Sequence, residues 1–511
     1  MSIVLIEGLT HQNGGKKLYQ DSSMRINKGE HIALLGANGT GKTTLLNIIA
    51  GKIVPDHGTV ELHPRSKMGY LDQHQDVDMT IIVEDYLKDT YKELYEIEAK
   101  IHKIYEDMAI EYNEEDLVKA LAMQEDLSLR GFDTIEKEIG NLVSGLGINA
   151  ENLKKQLGQL SGGQRGKVLL AKLLLKQDDF ILLDEPTNFL DIEQVEWLAK
   201  FLQQYENAFL LVSHDEDFIN KTVDVIYAIE NMEINRYVGN YEKYVELSAQ
   251  RAEQYDRARE SQQQQMAKLK EYVAKNAARA STARSAQSRQ KQLDKMDVLD
   301  ERRKLAKPKM SFKYKRPNSA VIVKAENLEI GYGFALTEPL TFELREGQKC
   351  IVKGYNGIGK TTFLKTVAGE TPKVSGTVMV GNGVETAFFH QVEDNNEMTP
   401  IAYLMNLYPQ MLEGEVRATI GKFGVKSELM MNPMKLLSGG EQTKVRLAAL
   451  SLVPASLLIL DEPTNHIDVL AKEALLEAIQ AFEGTVLITT HDINFETNWA
   501  DKVLNFEDLV E

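Results

Sequence analysis

Residues 36–44 read GANGTGKTT, and residues 354–362 read GYNGIGKTT. Both match the spacing G-x-x-x-x-G-K-T. The first copy follows a short apolar run, His31–Leu35, and leads into Thr43–Ala50, whose apolar residues have helical spacing. A strand, a glycine turn and a helix start make a phosphate loop, where backbone N–H groups and the helix N-terminus converge on anionic oxygens. Gly36, Ala37, Asn38, Gly39, Thr40, Gly41, Lys42, Thr43 and Thr44 are thus expected to cradle a nucleoside triphosphate. Gly354, Tyr355, Asn356, Gly357, Ile358, Gly359, Lys360, Thr361 and Thr362 repeat the arrangement. Lys42 and Lys360 would reach the β- and γ-phosphates, and Thr43 and Thr361 would ligate Mg²⁺.

Working outward, the repetition continues. LSGGQ at 160–164 recurs as LSGGE at 437–441, ILLDEPTNFLD at 181–191 as LILDEPTNHID at 458–468, and VSHD at 212–215 as TTHD at 489–492. The order is the same in both halves, so the chain holds two copies of one domain. The runs Phe180–Leu183 and Phe209–Val212 read as buried parallel strands, and strands alternating with helices predict an α/β core around a largely parallel sheet. Each DEP ends such a strand. Asp184 and Asp461 would hold Mg²⁺, and Glu185 and Glu462 would polarise the attacking water. His214 and His491 fall where they would contact the γ-phosphate, while Gln73 and Gln391 would sense the Mg²⁺ and the water. Singly, an Asp-Glu pair at a strand end or a lone histidine is more often structural; here each recurs in register with a phosphate loop. Ser161, Gly162, Gly163 and Gln164, and likewise Ser438, Gly439, Gly440 and Glu441, would form anion-binding turns opening helices at Arg165–Leu175 and Gln442–Leu452. The plainer alternative is a serine N-cap.

The totals set limits. The chain has 511 residues, 43% hydrophobic and 26% charged, with a formal charge of -17. No apolar run approaches the ~18 residues of a membrane span. The start, MSIVLIEGLT, lacks the features of a signal peptide. Cys350 is the one cysteine, which excludes disulfide frameworks, cysteine zinc sites and iron–sulfur clusters and fits a cytoplasmic location. Charge is unevenly spread: 249–316 carries 19 Lys/Arg against 8 Asp/Glu, whereas 84–126 carries 14 acids against 5 bases. The expected layout is a first domain over 1–240 with a helical arm inserted at about 88–130, a linker over 241–318, and a second domain over 319–511. Met266, Leu269 and Val273, then Leu293 and Met296, give the linker a narrow apolar seam, as in a helical hairpin turning near 275–283. Its middle, KNAARASTARSAQSRQKQL at 275–293, carries Lys275, Arg279, Arg284, Arg289 and Lys291 and no acid. That composition fits a slim element among RNA phosphates, with a solvated spacer as the alternative.

Phosphate loop, LSGGQ, DEPTN and switch histidine, in this order and twice over, resemble the ATP-binding cassette (ABC) superfamily. The resemblance implies head-to-tail cassettes, with each ATP between one phosphate loop and the opposite LSGG. One site would then combine Lys42, Thr43, Gln73, Asp184, Glu185 and His214 with Ser438–Glu441; the other would combine Lys360, Thr361, Gln391, Asp461, Glu462 and His491 with Ser161–Gln164. Tyr332 stands where these cassettes stack an aromatic ring on adenine, but the first half has Asn13 there, and Tyr19 lies close to the loop. Within the superfamily, DEPTNFLD, DEPTNHID, the run Tyr237-Val-Gly-Asn-Tyr241-Glu-Lys-Tyr244 and the basic linker are similar to the ABC-F family of ribosome-associated ATPases. Phe189 and Ile467 depart from that family's DEPTNHLD. The resemblance implies a monomer that binds the ribosomal exit site near large-subunit rRNA, acts through its linker on peptidyl tRNA, and leaves after hydrolysis. The acidic arm would dock on a basic ribosomal protein. A translation factor relieving stalled complexes and an antibiotic-resistance protection factor both fit, the modest linker favouring the first. A transporter ATPase subunit and a protein scaffold are the contrasting readings.

Overall fold

The computed structural model describes residues 2–14, 16–71, 77–188, 190–276, 283–294, 296, 307–355, 357–390, 397–465, 467–490 and 499–509. The first half contributes β1 (Ser2–Asn13), β2 (Lys16–Asn27), β3 (His31–Leu35), β4 (His57–Leu62), β5 (Met68–Leu71), β6 (Phe180–Asp184), β7 (Ala208–Val212), β8 (Val225–Glu230) and β9 (Glu233–Val238). The second contributes β10 (Val321–Glu329), β11 (Leu340–Arg345), β12 (Lys349–Lys353), β13 (Ser375–Val380), β14 (Thr386–Phe389), β15 (Leu457–Asp461), β16 (Thr485–Thr489) and β17 (Lys502–Asn505). The helices used below are α1 (Lys42–Ile49), α2 (Lys92–Ile110), α3 (Glu114–Leu129), α4 (Ile135–Gly145), α5 (Gly162–Leu175), α6 (Ile192–Gln203), α7 (Glu216–Thr222), α8 (Tyr241–Asn276), α9 (Ala283–Asp294), α10 (Lys360–Ala368), α11 (Gly439–Leu450) and α12 (Val469–Ala481).

The internal repeat is a repeat of topology. In the first half the strand order is β5-β6-β7-β3-β8-β9, parallel except for β9; in the second it is β14-β15-β16-β12-β17, parallel throughout. Each half also has a three-stranded antiparallel sheet, β2-β1-β4 or β11-β10-β13. Continuous apolar runs build the central strands because both of their faces are covered. Phe180 and Leu182 pack toward α1 and the antiparallel sheet, while Ile181 and Leu183 pack toward α5 and α6. Leu457 and Ile459 against Leu458 and Leu460 repeat that alternation. Each phosphate loop leaves the carboxyl end of a central strand, which is where doubly wound sheets place ligands.

Two helical excursions leave this frame. The arm is an antiparallel pair, α2 and α3, closed by Leu94 and Ile101 on one helix and Ala120 and Leu127 on the other. Both pairs are seven residues apart, the interval that returns a side chain to one face of a helix. Asn113 caps α3, its side-chain oxygen accepting from the Glu115 N–H at 3.0 Å. In the linker, the 36 residues of α8 span about 54 Å at ~1.5 Å per residue. Of the expected seam residues, Leu269 on α8 and Leu293 on α9 are buried, and Met266, Val273 and Met296 are half-buried. The Arg289 guanidinium lies 4.7 Å from the Tyr272 ring centre, and the Tyr272 and Ser285 hydroxyls are 3.2 Å apart. Arg289 is therefore partly engaged within the hairpin. Lys275 likewise meets Glu271 one turn earlier, at 2.6 Å. Arg279 lies outside the described residues. Arg284 is placed only as part of α9.

Candidate functional site

The first phosphate loop joins β3 to α1. Gly41 begins the helix at φ 106°, a conformation disfavoured for other residues, and a Cβ there would lie 2.5 Å from the Tyr19 hydroxyl. Tyr19 is fully buried and donates its hydroxyl to the Gly41 carbonyl, so it props the loop from beneath and offers no face to a base. Lys42 is folded inward, Nζ donating to the Gly36 carbonyl at 2.8 Å and toward that of Ala37 at 3.5 Å. Lys360 makes the matching bonds to Gly354 and Tyr355. These carbonyls hold each ammonium at the mouth of its loop, where phosphate oxygens would compete for it. Burial pulls Lys42 below its usual range, opposed by Glu185, Asp184 and, from the second half, Asp468. Burial does the same to Lys360, opposed by Glu462, Asp191, Asp461 and Glu507.

At the end of β6, the Thr43 hydroxyl donates to Asp184 Oδ2 at 3.1 Å. A hydroxyl and a carboxylate, both hard oxygen donors, thus stand together beside the loop, a donor set that fits Mg²⁺. Asp461 ends β15 and accepts from the Thr489 hydroxyl at 2.8 Å. The next residues are strained in the same way: Glu185 has φ 49° and Glu462 φ 48°. Residues other than glycine rarely occupy this region, and such strain collects at functional sites. The neighbouring strands hold it in place, since the Glu185 N–H donates to Val212 O at 2.8 Å and that of Glu462 to the Thr489 hydroxyl at 3.0 Å. The His214 N–H reaches Glu185 Oε2 at 3.3 Å, and His214 Nε2 lies 3.6 Å from Oε1. Burial, then the Asp184 charge, push Glu185 up to about 8, against the pull of Lys42, the His214 N–H and Lys472.

Both signature turns are serine-capped helix starts. The Ser161 side chain accepts from the Gln164 N–H at 3.2 Å and the Gln164 side chain from the Ser161 N–H at 3.1 Å; Ser438 and Glu441 do the same at 3.3 and 3.0 Å. Capping starts these helices at Gly162 and Gly439, three residues before the expected Arg165 and Gln442. The serine N-cap of the plainer alternative is therefore present, as part of a capping box. A cavity of about 1900 Å³ has Ser161, Gly163 and Gln164 on one side and Gly354, Tyr355 and Gly357 on the other. Diagonally opposite, Glu441 Oε1 lies 3.4 Å from the point where a Gly39 side chain would begin. Each signature thus faces the other half's phosphate loop. Tyr332 is 64% exposed beside the second loop, and Asn13 is exposed at the end of β1. Gln73, Phe189, Asn356, Gln391 and His491 lie outside the described residues.

Two residues that motif reading left without a role enter the site from the opposite half. Asp468 caps α12, pairs with Lys444 at 2.5 Å, and feels the charge of His214. Burial opposes its ionisation, but Lys444, the Ala471 N–H and His214 outweigh burial and hold the carboxyl below its ordinary range. Asp191 acts on Lys360 in the same sense. The signal was available, because both end the repeated run that reads DEPTNFLD in the first half and DEPTNHID in the second.

The family model described as ABC transporter matches residues 19–188 and 337–465, and a second with that description matches 227–312. The chain is 41% identical to the uncharacterized ABC transporter ATP-binding protein YfmM of Bacillus subtilis, over 99% of each chain. It is 30% identical to ABC transporter F family member 5 of Arabidopsis thaliana, over 99% of this chain and 75% of that one. This chain belongs to the ABC-F family. It is accordingly an ATP-binding, ATP-hydrolysing protein of the cassette type, and ABC ATPase domains typically bind their ATP with Mg²⁺. The probable ATP-binding protein YheS of Escherichia coli is 32% identical over 96% of this chain and 76% of its own. Among solved structures, the archaeal ribosome recycling factor aABCE1, in complex with the ribosomal stalk protein aP1, matches with a TM-score of 0.59. That match has 18% identity over 98% of this chain and 87% of the other. At that identity the likeness is one of fold: tandem nucleotide-binding domains. No helix among the described residues of this ABC-F protein is long and apolar enough to cross a membrane.

Proposed function

We propose that this protein is an ATP-driven translation factor. It binds the ribosomal exit site with ATP bound, brings its linker hairpin to peptidyl tRNA at the peptidyl-transferase centre, relieves a stalled complex, and leaves on hydrolysis. The observation that carries this reading is the slim basic hairpin rooted in the switch region of an ATP site. The Tyr241 hydroxyl at the start of α8 donates to Glu216 Oε1 at 2.7 Å, and Asn220 exchanges hydrogen bonds with Glu242 at 3.2 Å. Glu216 follows His214 by two residues, so a change at the phosphate has a short mechanical path to the linker. Lys275, Arg289 and Lys291 are exposed along the hairpin, and cations of this kind suit a polyanion such as RNA. The fold shared with a ribosome recycling factor supports the same partner.

In this scheme Lys42 and Lys360 leave their loop carbonyls for the β/γ-phosphates. Glu185 and Glu462 orient and polarise the attacking water. His214 and His491 contact the γ-phosphate, and the opposite Ser438–Glu441 or Ser161–Gln164 turn closes each site. Thr43, Asp184 and Gln73, and in the second site Thr361, Asp461 and Gln391, would hold Mg²⁺. When bound, it neutralises charge on the phosphate oxygens. The acidic arm takes a basic ribosomal protein as its contact.

The test is the Glu185→Gln/Glu462→Gln double variant, which should bind ATP and co-sediment with ribosomes while turnover falls by about two orders of magnitude or more. Failure to co-sediment in ATP rejects the ribosome reading. Drug-susceptibility assays on cells expressing the wild type decide whether the relieved complex is an antibiotic-stalled one.

A further inference from the structure

The two phosphate loops are approached by turns of opposite chemistry. In the second half the turn at 330–339 reads IGYGFALTEP: two exposed rings, Tyr332 and Phe334, and no lysine or arginine. Thr362 at the end of the loop donates to the Tyr332 hydroxyl at 3.4 Å, which sets that ring beside the nucleotide seat. In the first half the turn at 10–19 reads THQNGGKKLY. Asn13 replaces the ring, Tyr19 is buried under the loop, and Lys16 and Lys17 are exposed. Lys16 donates to the Gly39 carbonyl, whereas Lys42 holds those of Gly36 and Ala37. Lys16 Nζ and Glu441 Oε1 each lie 3.4 Å from the point where a Gly39 side chain would begin. A cation from one half and the signature carboxylate of the other thus converge on a single residue of the first phosphate loop.

A ring and an ammonium read different parts of a nucleotide. A ring gains from stacking on a base, more from a purine than from a pyrimidine because the overlap is larger. An ammonium is a strongly hydrated point charge, suited to phosphate oxygens and blind to the base. The first site also needs a cation more than the second does. Its signature carries Glu441 where the other carries Gln164, and a carboxylate repels a triphosphate unless a positive charge offsets it. We infer that Lys16 is the nucleotide-recognition residue of the first site, holding the triphosphate by charge opposite Glu441, so that this site ignores the base while the second, through Tyr332, selects it. The inference rests on the two-site ATPase reading above.

Equilibrium binding of radiolabelled ATP, GTP, CTP and UTP with Mg²⁺ to the full chain, in the Glu185→Gln/Glu462→Gln background, tests it. With Tyr332→Ala, the remaining tight site should bind all four within about threefold, and more weakly as salt rises. With Lys16→Ala, the remaining tight site should favour purines by about tenfold, while Lys16→Arg keeps both sites. A Tyr332→Ala protein that still discriminates purines tenfold overturns the inference, as does a Lys16→Ala protein with both affinities unchanged. A parent protein that binds fewer than two nucleotides per chain overturns instead the two-site reading on which it stands.

Discussion

Glu185 and Glu462 show how much a single backbone angle reveals. Their motif identified them as catalytic candidates, but the strain at φ 49° and 48° was not legible in sequence, because nothing in D-E-P separates a relaxed strand end from a twisted one. Strain of this kind costs about 1–3 kcal/mol and persists only where the surroundings impose it. Glu185→Gly should therefore be more stable than Glu185→Ala by about 1 kcal/mol in chemical denaturation, although both abolish turnover at that site. Equal stabilities would mean that the angle relaxes at no cost. Tyr19 makes the opposite point. Sequence placed it near the loop without saying whether its ring faced a base, and only packing shows it buried and bonded to Gly41.

At the scale of elements, most of the fold was readable. Glycine loops between an apolar run and helical spacing placed β3, α1, β12 and α10, and the fully apolar runs at Phe180 and Phe209 gave central strands because only strands covered on both faces dispense with polar alternation. The antiparallel sheets were not anticipated. Their strands mix exposed and buried residues irregularly, with register shifts in β1 and β10, so no clean period of two survives in the sequence. The linker seam was readable from spacing, whereas the stacking of Arg289 on Tyr272 joins residues 17 positions apart across a turn. Replacing Lys275, Arg289 and Lys291 together with glutamine should leave free ATPase activity within about twofold. In ribosome sedimentation across a salt series, it should flatten the plot of log affinity against log salt by roughly 2–3 units, at about 0.7–0.9 per lost phosphate contact. An unchanged slope would assign the hairpin to spacing alone.

For the molecule as a whole, charge is arranged by module: a basic hairpin and an acidic arm on two cassettes. The arm's far end carries apolar side chains in solvent, Ile110 at 89% and Tyr112 at 69% exposure, among Glu106, Asp107, Glu111 and Glu115. Changing those four acids to lysine should weaken ribosome co-sedimentation at least several-fold and leave free ATPase activity unaltered; intact binding would remove the arm from the proposed interface. The crossed seating of the two halves has a further consequence, one for genetics. A lesson drawn from domain maps, that defects in one half belong together, fails here. Ser161 shares its cavity with the loop at 354–357, not with the one at 36–44. Loss-of-function alleles at Ser161 and Lys360 should therefore be epistatic, the double no worse than the single, whereas alleles at Ser161 and Lys42, both in the first half, should compound, so that linkage along the gene and partnership in function run on opposite diagonals.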